Sequence, residues 1–287
     1  MNRPRPGHHA TLAPSGLTRR AVATMAGTII LSSTTAHAVT RLSRFVDATA
    51  GAQTLDHGAF DALLARRTSL QAGVVRVDYR SWKASAADRT ALKAYIARLA
   101  GTDPAQLTRA EQFAFWANLY NAVTIDTVLA AYPVRSIRDI RPTVLSIGPW
   151  KARAVTVSNI ALSLDDIENG ILRTGWRDPR VHYAINCASF SCPNLPRVAW
   201  RGQDLSARLD AAARDYVNHP RGVRFEGDRL VVSSIYRWFA GDFGGGDRHI
   251  LHHLSTFAAP ALKARLQKTD GIGGDAYDWM LNEGKAP

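Results

Sequence analysis

Two cysteines five residues apart are the side chains of this sequence best suited to covalent chemistry. Cys187 and Cys192 lie in the segment 181–193, Val-His-Tyr-Ala-Ile-Asn-Cys-Ala-Ser-Phe-Ser-Cys-Pro, which also contains His182. A cysteine nucleophile needs a nearby base that generates its thiolate, and that base needs an acceptor that orients it. The segment therefore predicts a thiol-dependent enzyme. We favour Cys187 over Cys192 as its nucleophile because Cys187 is closer to the end of the preceding predicted strand.

The remaining polar groups of this hypothesis lie on one hydrophobic helix, predicted over 108–131. Glu111 is the candidate acceptor for His182, and Asn118 and Asn121 are candidates for oxyanion binding or polar support. At 100° per residue, Asn118 lies about 20° and Asn121 about 80° from Glu111 around the helix, so the three share one face. Two simpler roles remain open: Glu111 completes a capping box with Thr108, and the asparagines hydrogen-bond nearby loop backbone.

Two other functions are also consistent with these residues. Cysteines five apart in an exported protein are also consistent with a small-loop disulfide, which would make the protein a non-catalytic envelope binding module, or with two inert buried thiols. A metal-dependent enzyme would combine His182 with His249 or His253, but no H-E-x-x-H motif accompanies them. We therefore expect neither a metal nor a cofactor. Asp165, Asp166 and Glu168 follow Ser163 in the first turn of a predicted helix, where helix polarity favours acidic side chains without any catalytic role.

The elements that must position these residues mix helices with short strands. Helices are predicted at about 56–67, 86–100, 108–131, 163–173, 203–217, 234–239 and 248–258. Strands are predicted at 144–147, 152–157, 181–187, 223–225, 230–233 and 274–282. Because helices and hairpins do not alternate regularly, the predicted fold class is α+β, a single domain of several helices packed around a short, mainly antiparallel sheet. A papain-like arrangement is one form of this class.

The first 38 residues have the pattern of a secretory signal. Arg19 and Arg20 precede an apolar stretch of about 11 residues, and Ala36-His37-Ala38 follows as a cleavage site. The paired arginines resemble the twin-arginine class. We therefore expect a signal peptide over 1–38, a lead-in over 39–57, and a periplasmic or secreted mature protein.

Composition narrows the class of protein further. The chain has 287 residues, with 36 Lys+Arg against 24 Asp+Glu and a formal net charge of +12. The hydrophobic fraction of 46% is that of a globular protein, which excludes a disordered or collagen-like chain. No apolar run reaches the length of about 18 residues that a transmembrane helix needs, so no integral membrane segment is expected after cleavage. No block of like charges or known nucleic-acid motif occurs, so we expect no nucleic-acid partner.

Several short sequence motifs of the chain resemble those of the family called domain of unknown function 547 (DUF547). They include Ala-Phe-Trp-Ala-Asn-Leu-Tyr-Asn-Ala at 114–122 and Asp-Pro-Arg-Val-His-Tyr-Ala at 178–184. Further matching motifs lie at 162–168, 170–173, 187–189, 191–193, 233–235, 238–239, 277–279 and 281–282. They follow the family order and span about 58–282, which we take as the DUF547-like domain. One departure is Asn169, where the resemblance leads us to expect histidine.

The resemblance implies that the helix carrying Glu111 and the segment from His182 to Cys192 belong to one domain. It supplies no activity, because the family has no established one, and a fold alone does not define a function. The leading hypothesis is a cysteine-dependent hydrolase or acyltransferase acting on amide or ester bonds of an unknown envelope substrate. The alternative is the non-catalytic binding module with a structural disulfide between Cys187 and Cys192.

Overall fold

The longest helix of the fold is buried along most of its length. The structure, a computed structural model, describes residues 41–285, so the predicted signal peptide lies outside the described residues. The long helix spans Arg109–Ala131, and every residue from Glu111 to Ile125 is buried. Its N-cap is Thr108, whose hydroxyl accepts a hydrogen bond from the Glu111 backbone N–H. A helix surrounded in this way must satisfy its polar side chains inside the protein.

Short elements surround this helix, which is numbered α4 below. Before it come α1 (Gly58–Arg67), β1 (Thr68–Gln71), β2 (Val74–Val77), α2 (Tyr79–Ala84) and α3 (Ala86–Ala100). After it come β3 (Arg153–Val157), β4 (Ile160–Ser163), a π-helix (Asp166–Arg173), α5 (Val181–Ala184) and α6 (Leu205–Val217). The chain ends with β5 (Val223–Glu226), β6 (Arg229–Ser233), α7 (Ile235–Trp238), α8 (Asp247–Phe257), α9 (Pro260–Leu266) and β7 (Gly274–Ala276).

Strand pairing is local and mostly antiparallel. β1 pairs with β2, β3 with β4 and β5 with β6, each in an antiparallel hairpin, and β7 adds to β6 in parallel. The predicted α+β class, a single domain of helices with a short and mainly antiparallel sheet, is confirmed. Within residues 41–285, no helix is both long and apolar enough to cross a bilayer.

The buried side chains form two clusters. The larger one surrounds α4 and includes Phe60 from α1 and Leu92 from α3. The smaller one joins α6, the β5–β6 hairpin and α8, and Tyr216 and Leu254 belong to it. The chain between α5 and α6, which carries both cysteines, packs on the larger cluster through Ile185, Ala188, Leu195, Ala199 and Trp200.

The predicted strand at 181–187 is wrong. Residues Val181–Ala184 form the single helical turn α5, because Asp178 begins a tight turn: its carbonyl accepts from the Val181 N–H, and its carboxylate accepts from the Arg180 N–H. All four residues of α5 are buried. A one-turn helix with no exposed face has no helical period in its sequence, and its alternating pattern imitates a strand.

Two other predicted strands differ from the structure. Residues 144–147 form a loop without strand pairing, in which Val144 and Leu145 are 92% and 95% exposed. Only Gly274–Ala276 of the predicted strand at 274–282 is a strand, followed by isolated bridges at Met280 and Leu281. β-Branched and apolar residues predict a strand by type, but a strand also needs a partner for its backbone groups.

Candidate active site

The loop that carries the cysteines is held by buried amides. The Asn121 side chain on α4 donates to the Ala184 carbonyl at 3.0 Å and accepts from the Asn186 N–H at 2.8 Å. The Asn186 side chain in turn donates to the Pro193 carbonyl and accepts from the Ala188 N–H. Because each amide pairs with backbone on both of its atoms, the start and end of the loop are fixed relative to the core.

The two cysteines are free thiols whose sulfur atoms lie 3.1 Å apart. The half-buried Cys187 sulfur lies 3.1 Å from the Ser189 hydroxyl and 3.2 Å from the Tyr277 hydroxyl, and these two hydroxyls are 2.7 Å apart. Cys192 is buried, and its sulfur accepts from the Cys187 backbone N–H. Three side chains, those of Cys192, Ser189 and Tyr277, therefore lie within hydrogen-bond distance of the Cys187 sulfur and are able to donate to its thiolate.

This arrangement separates the acidities of the two thiols. The hydrogen bond from Cys192, followed by those from Ser189 and Tyr277, lowers the pKa of Cys187 to about 6, although burial opposes its ionisation. Burial raises the pKa of Cys192 well above its usual range, and the neighbouring Cys187 raises it further. Cys187 is therefore the thiolate at neutral pH, and thiolate is the reactive form of cysteine.

Removing the Cys192 thiol tests this cause directly. A hydrogen bond to a charged group contributes about 1.5–3 kcal/mol, so Cys192→Ala should raise the midpoint pH of Cys187 alkylation by about 1 to 2. The measurement is the rate of reaction with iodoacetamide between pH 4 and 9. Thr90→Ala, on the exposed side of α3, should leave the midpoint unchanged. An unchanged midpoint in Cys192→Ala would show that Cys192 does not stabilise the thiolate.

His182 faces a carboxylate that is not Glu111. Its Nε2 lies 2.7 Å from an Asp242 Oδ2 oxygen, and the ring packs 4.3 Å from the Phe239 ring. The Arg173 guanidinium donates to both Asp242 oxygens. Burial lowers the pKa of His182, against the opposite effect of Asp242. Although burial opposes ionisation, the hydrogen bonds from His182 and Arg173 hold the pKa of Asp242 well below its usual range.

A cavity of about 200 Å³ brings His182 and both cysteines to one site. Glu168 and Asn169 of the π-helix also line it. Burial raises the pKa of Glu168 to about 7, and the Tyr120 hydroxyl, 3.0 Å from its Oε2, only partly offsets this. π-Helical turns are frequent at functional sites, and here the turn places a carboxyl group able to exchange protons near pH 7 in the same cavity as Cys187.

Asn169, the position where the resemblance leads us to expect histidine, forms hydrogen bonds through both of its amide atoms. Its side chain donates to Asp165 at 2.8 Å and accepts from Arg173 at 2.6 Å. It therefore connects the wall of the cavity to the Arg173–Asp242–His182 chain of polar contacts.

Glu111 and Asn118 lie elsewhere. Glu111 accepts from the Gly202 N–H at 2.8 Å, and its other oxygen is 3.9 Å from Nε2 of the buried His57. A Cβ at Gly202 would lie 2.8 Å from the Glu111 backbone nitrogen, so this contact requires glycine. Asn118 pairs through both amide atoms with the backbone of Trp200. Neither residue lines the cavity that contains Cys187, and both sets of contacts anchor the 199–202 segment to α4.

Several residues of the cavity were not singled out from the sequence as site residues. These are Tyr120, Glu168, Tyr277 and three tryptophans, Trp150, Trp238 and Trp279. Asp242, the partner of His182, was not singled out either. Glu168 has the sequence pattern of an ordinary helix-start acid. The only sequence signal for Tyr277 and Trp279 was that they lie in a short motif, 277–279, that resembles the DUF547 family.

His253, one of the histidines considered as a metal ligand, contacts a tyrosine in the structure. Nε2 of His253 lies 2.8 Å from the Tyr183 hydroxyl, and burial lowers its pKa to about 4. Within residues 41–285, no group of three or more His, Cys, Asp or Glu side chains is arranged to hold a metal ion.

One comparison with known proteins matches part of the chain to a family model. Residues 104–217 match the model of the family described as "Protein of unknown function, DUF547". This DUF547 segment, less than half of the chain, includes α4, the π-helix, α5, the cysteine loop and α6. The match supports the resemblance drawn from the sequence motifs. The DUF547 segment contains Cys187, Cys192, His182 and Glu168, whereas Asp242, Tyr277, Trp238 and Trp279 lie after it. Comparisons with curated proteins and with solved structures give no significant match.

Proposed function

We propose that the protein is a thiol-dependent hydrolase or acyltransferase with Cys187 as its nucleophile. The observation that carries the proposal is the Cys187 sulfur, placed in a largely apolar cavity with Cys192, Ser189 and Tyr277 as donors to its thiolate. A structural cysteine has no need of three donors, whereas a nucleophile needs its thiolate populated at neutral pH.

The proposed reaction has two steps. The Cys187 thiolate attacks the carbonyl carbon of an ester or amide, forming an S–C bond and a tetrahedral oxyanion. Collapse of this intermediate breaks the C–O or C–N bond, and the leaving group takes a proton. Water or an acceptor nucleophile then attacks the thioester, releasing the acyl group and restoring the thiolate.

The acid–base roles follow from the residues of the cavity. His182 is oriented by Asp242, in place of the Glu111 of the sequence hypothesis, and is the first candidate to give the leaving group its proton. Glu168, with its pKa of about 7, is the second. The Ser189 and Tyr277 hydroxyls, both within 3.2 Å of the sulfur, are the candidate oxyanion donors in place of Asn118.

The test is a pre-steady-state assay with p-nitrophenyl acetate. We expect a burst of about one p-nitrophenolate per chain, followed by slower turnover, because acylation of an activated thiolate precedes thioester hydrolysis. The unfolded protein is the control, since its thiols lack the donors described above. Release of p-nitrophenolate without a burst, at the rate of the unfolded protein, would contradict the proposal.

The sulfur–sulfur contact favours one other function. At 3.1 Å apart, the two thiols need little movement to form a disulfide on oxidation by a small disulfide, which would be reduced to two thiols. A protein held in that form would be a binding module without a nucleophile. Alkylation under non-reducing conditions separates the two functions.

We also propose export to the envelope, based on the twin-arginine pattern and the Ala-His-Ala site within residues 1–38. N-terminal sequencing of the protein recovered from the envelope fraction tests this. A start near Val39 is expected, and a chain retained in the cytoplasm with its signal intact would contradict it.

A further inference from the structure

The cavity beside Cys187 has an unusual charge for this protein. The chain has 12 more basic than acidic residues, yet among residues 41–285 no lysine or arginine lines the cavity, whereas Asp165 and Glu168 both do. Arg173, on the same π-helix, is bound to Asp242 and Asn169 rather than to either of these acids. Within the described part of the chain, the side chains that donate to the two acids are the neutral Asn169, to Asp165, and Tyr120, to Glu168. The charge of the lining therefore disfavours anions.

Much of the remaining lining of the cavity is aromatic. The Trp238 and Trp279 rings stack at 5.4 Å, Tyr277 packs against both at 4.8 and 4.6 Å, and Trp150 meets the edge of Trp279 at 5.8 Å. Trp238 remains 49% exposed, although it is a large apolar side chain. An uncovered tryptophan face attracts cations through the ring quadrupole.

The carboxyl groups and the rings favour the same kind of ligand. A neutral apolar ligand would gain from the rings but would leave the carboxyl groups of Asp165 and Glu168 poorly solvated, which is costly. An anion would be repelled by both acids and by the Cys187 thiolate. Arg138 already lies over the Trp279 ring, 5.2 Å from its centroid, so the half-exposed Trp238 is the ring that remains for a ligand. A cation interacts favourably with the carboxylates and with this ring together.

We propose that the cavity binds an ammonium or guanidinium group in contact with the Trp238 ring and the carboxyl groups of Asp165 and Glu168. If the proposed function is correct, this group is the part of the substrate next to the bond that Cys187 attacks. The binding itself does not depend on that function, because it involves no covalent step.

Choline and 3,3-dimethylbutan-1-ol are the probes, since they share one shape and differ in charge. Isothermal titration calorimetry of the full-length protein should show binding of choline at least about 10-fold tighter than binding of the neutral alcohol. Trp238→Leu and Glu168→Gln should each weaken choline binding about 3- to 10-fold. Glu226→Gln, an exposed carboxylate outside the cavity, is the matched control and should bind like the wild type.

Three outcomes would overturn the inference: equal affinity for both probes, no binding of either, or unchanged choline affinity in both Trp238→Leu and Glu168→Gln. Thermal unfolding of each variant confirms that it is folded before titration. If choline binds as expected but the p-nitrophenyl acetate burst is missing, the cation site stands and the thiol hydrolase fails. If the burst occurs but choline does not bind, the thiol hydrolase stands and the cation site fails.

Discussion

Cys187→Ala is expected to abolish the p-nitrophenyl acetate burst and to lower steady-state turnover by at least about 10³-fold, the usual loss when a nucleophile is removed. Alanine keeps the backbone of the loop, which is held by Asn121 and Asn186 rather than by the sulfur. The fold should therefore survive the substitution, and the loss should lie in the chemistry. The measurement is the burst amplitude and the turnover rate at pH 7.5.

Cys192→Ala is the matched control for this variant. It removes the other sulfur of the same loop but keeps the nucleophile, so the burst should persist with its pH midpoint raised. The account is contradicted if folded Cys187→Ala retains wild-type turnover. It is also contradicted if Cys187→Ala and Cys192→Ala lose activity equally at a pH where Cys187 is ionised in both the wild type and Cys192→Ala.

Asn121→Ala should have the largest effect on stability. It removes the side-chain acceptor of the Asn186 N–H, a buried donor, and leaves a space in the middle of α4 where the amide is fully buried. The Ala184 carbonyl keeps its hydrogen bond from the Trp200 indole. One unsatisfied buried donor and a small cavity together cost about 2–4 kcal/mol of unfolding free energy.

Urea unfolding followed by circular dichroism measures this loss. Gln267→Ala is the control, because Gln267 is exposed at the end of α9 and its removal should change the free energy of unfolding by less than about 0.5 kcal/mol. A loss below about 1 kcal/mol in Asn121→Ala would show that the amide does not hold the cysteine loop.

The elements with long, regular patterns were predictable from the sequence. Helix α4 and its Thr108 cap follow from an apolar run with a capping signal, and the β5–β6 hairpin follows from alternating residues around Gly227. The turn α5 was not predictable in this way. All four of its residues are buried, and the turn at Asp178, rather than periodicity, starts it.

The candidate site was predictable only within one stretch of chain. Local sequence placed His182 and both cysteines together, and the structure puts them on one cavity. The partner of His182 comes from Asp242, sixty residues later, and a donor to Cys187 comes from Tyr277, ninety residues later. No periodicity in a single sequence reports such distant contacts. The sequence hypothesis paired His182 with Glu111 because a catalytic base needs an acceptor that orients it, whereas the structure places Glu111 against Gly202 and His57.

The most direct test of the central claim is the mass of the intact protein after brief treatment with iodoacetamide at pH 7, without reductant. The account predicts that the chain gains one carbamidomethyl group, located on Cys187 by peptide mapping, while Cys192 reacts only after unfolding. This follows from a Cys187 pKa of about 6 beside a buried Cys192 of much higher pKa. An unlabelled chain two mass units lighter than the dithiol would contradict it, since the two cysteines would then be joined and no nucleophile would remain.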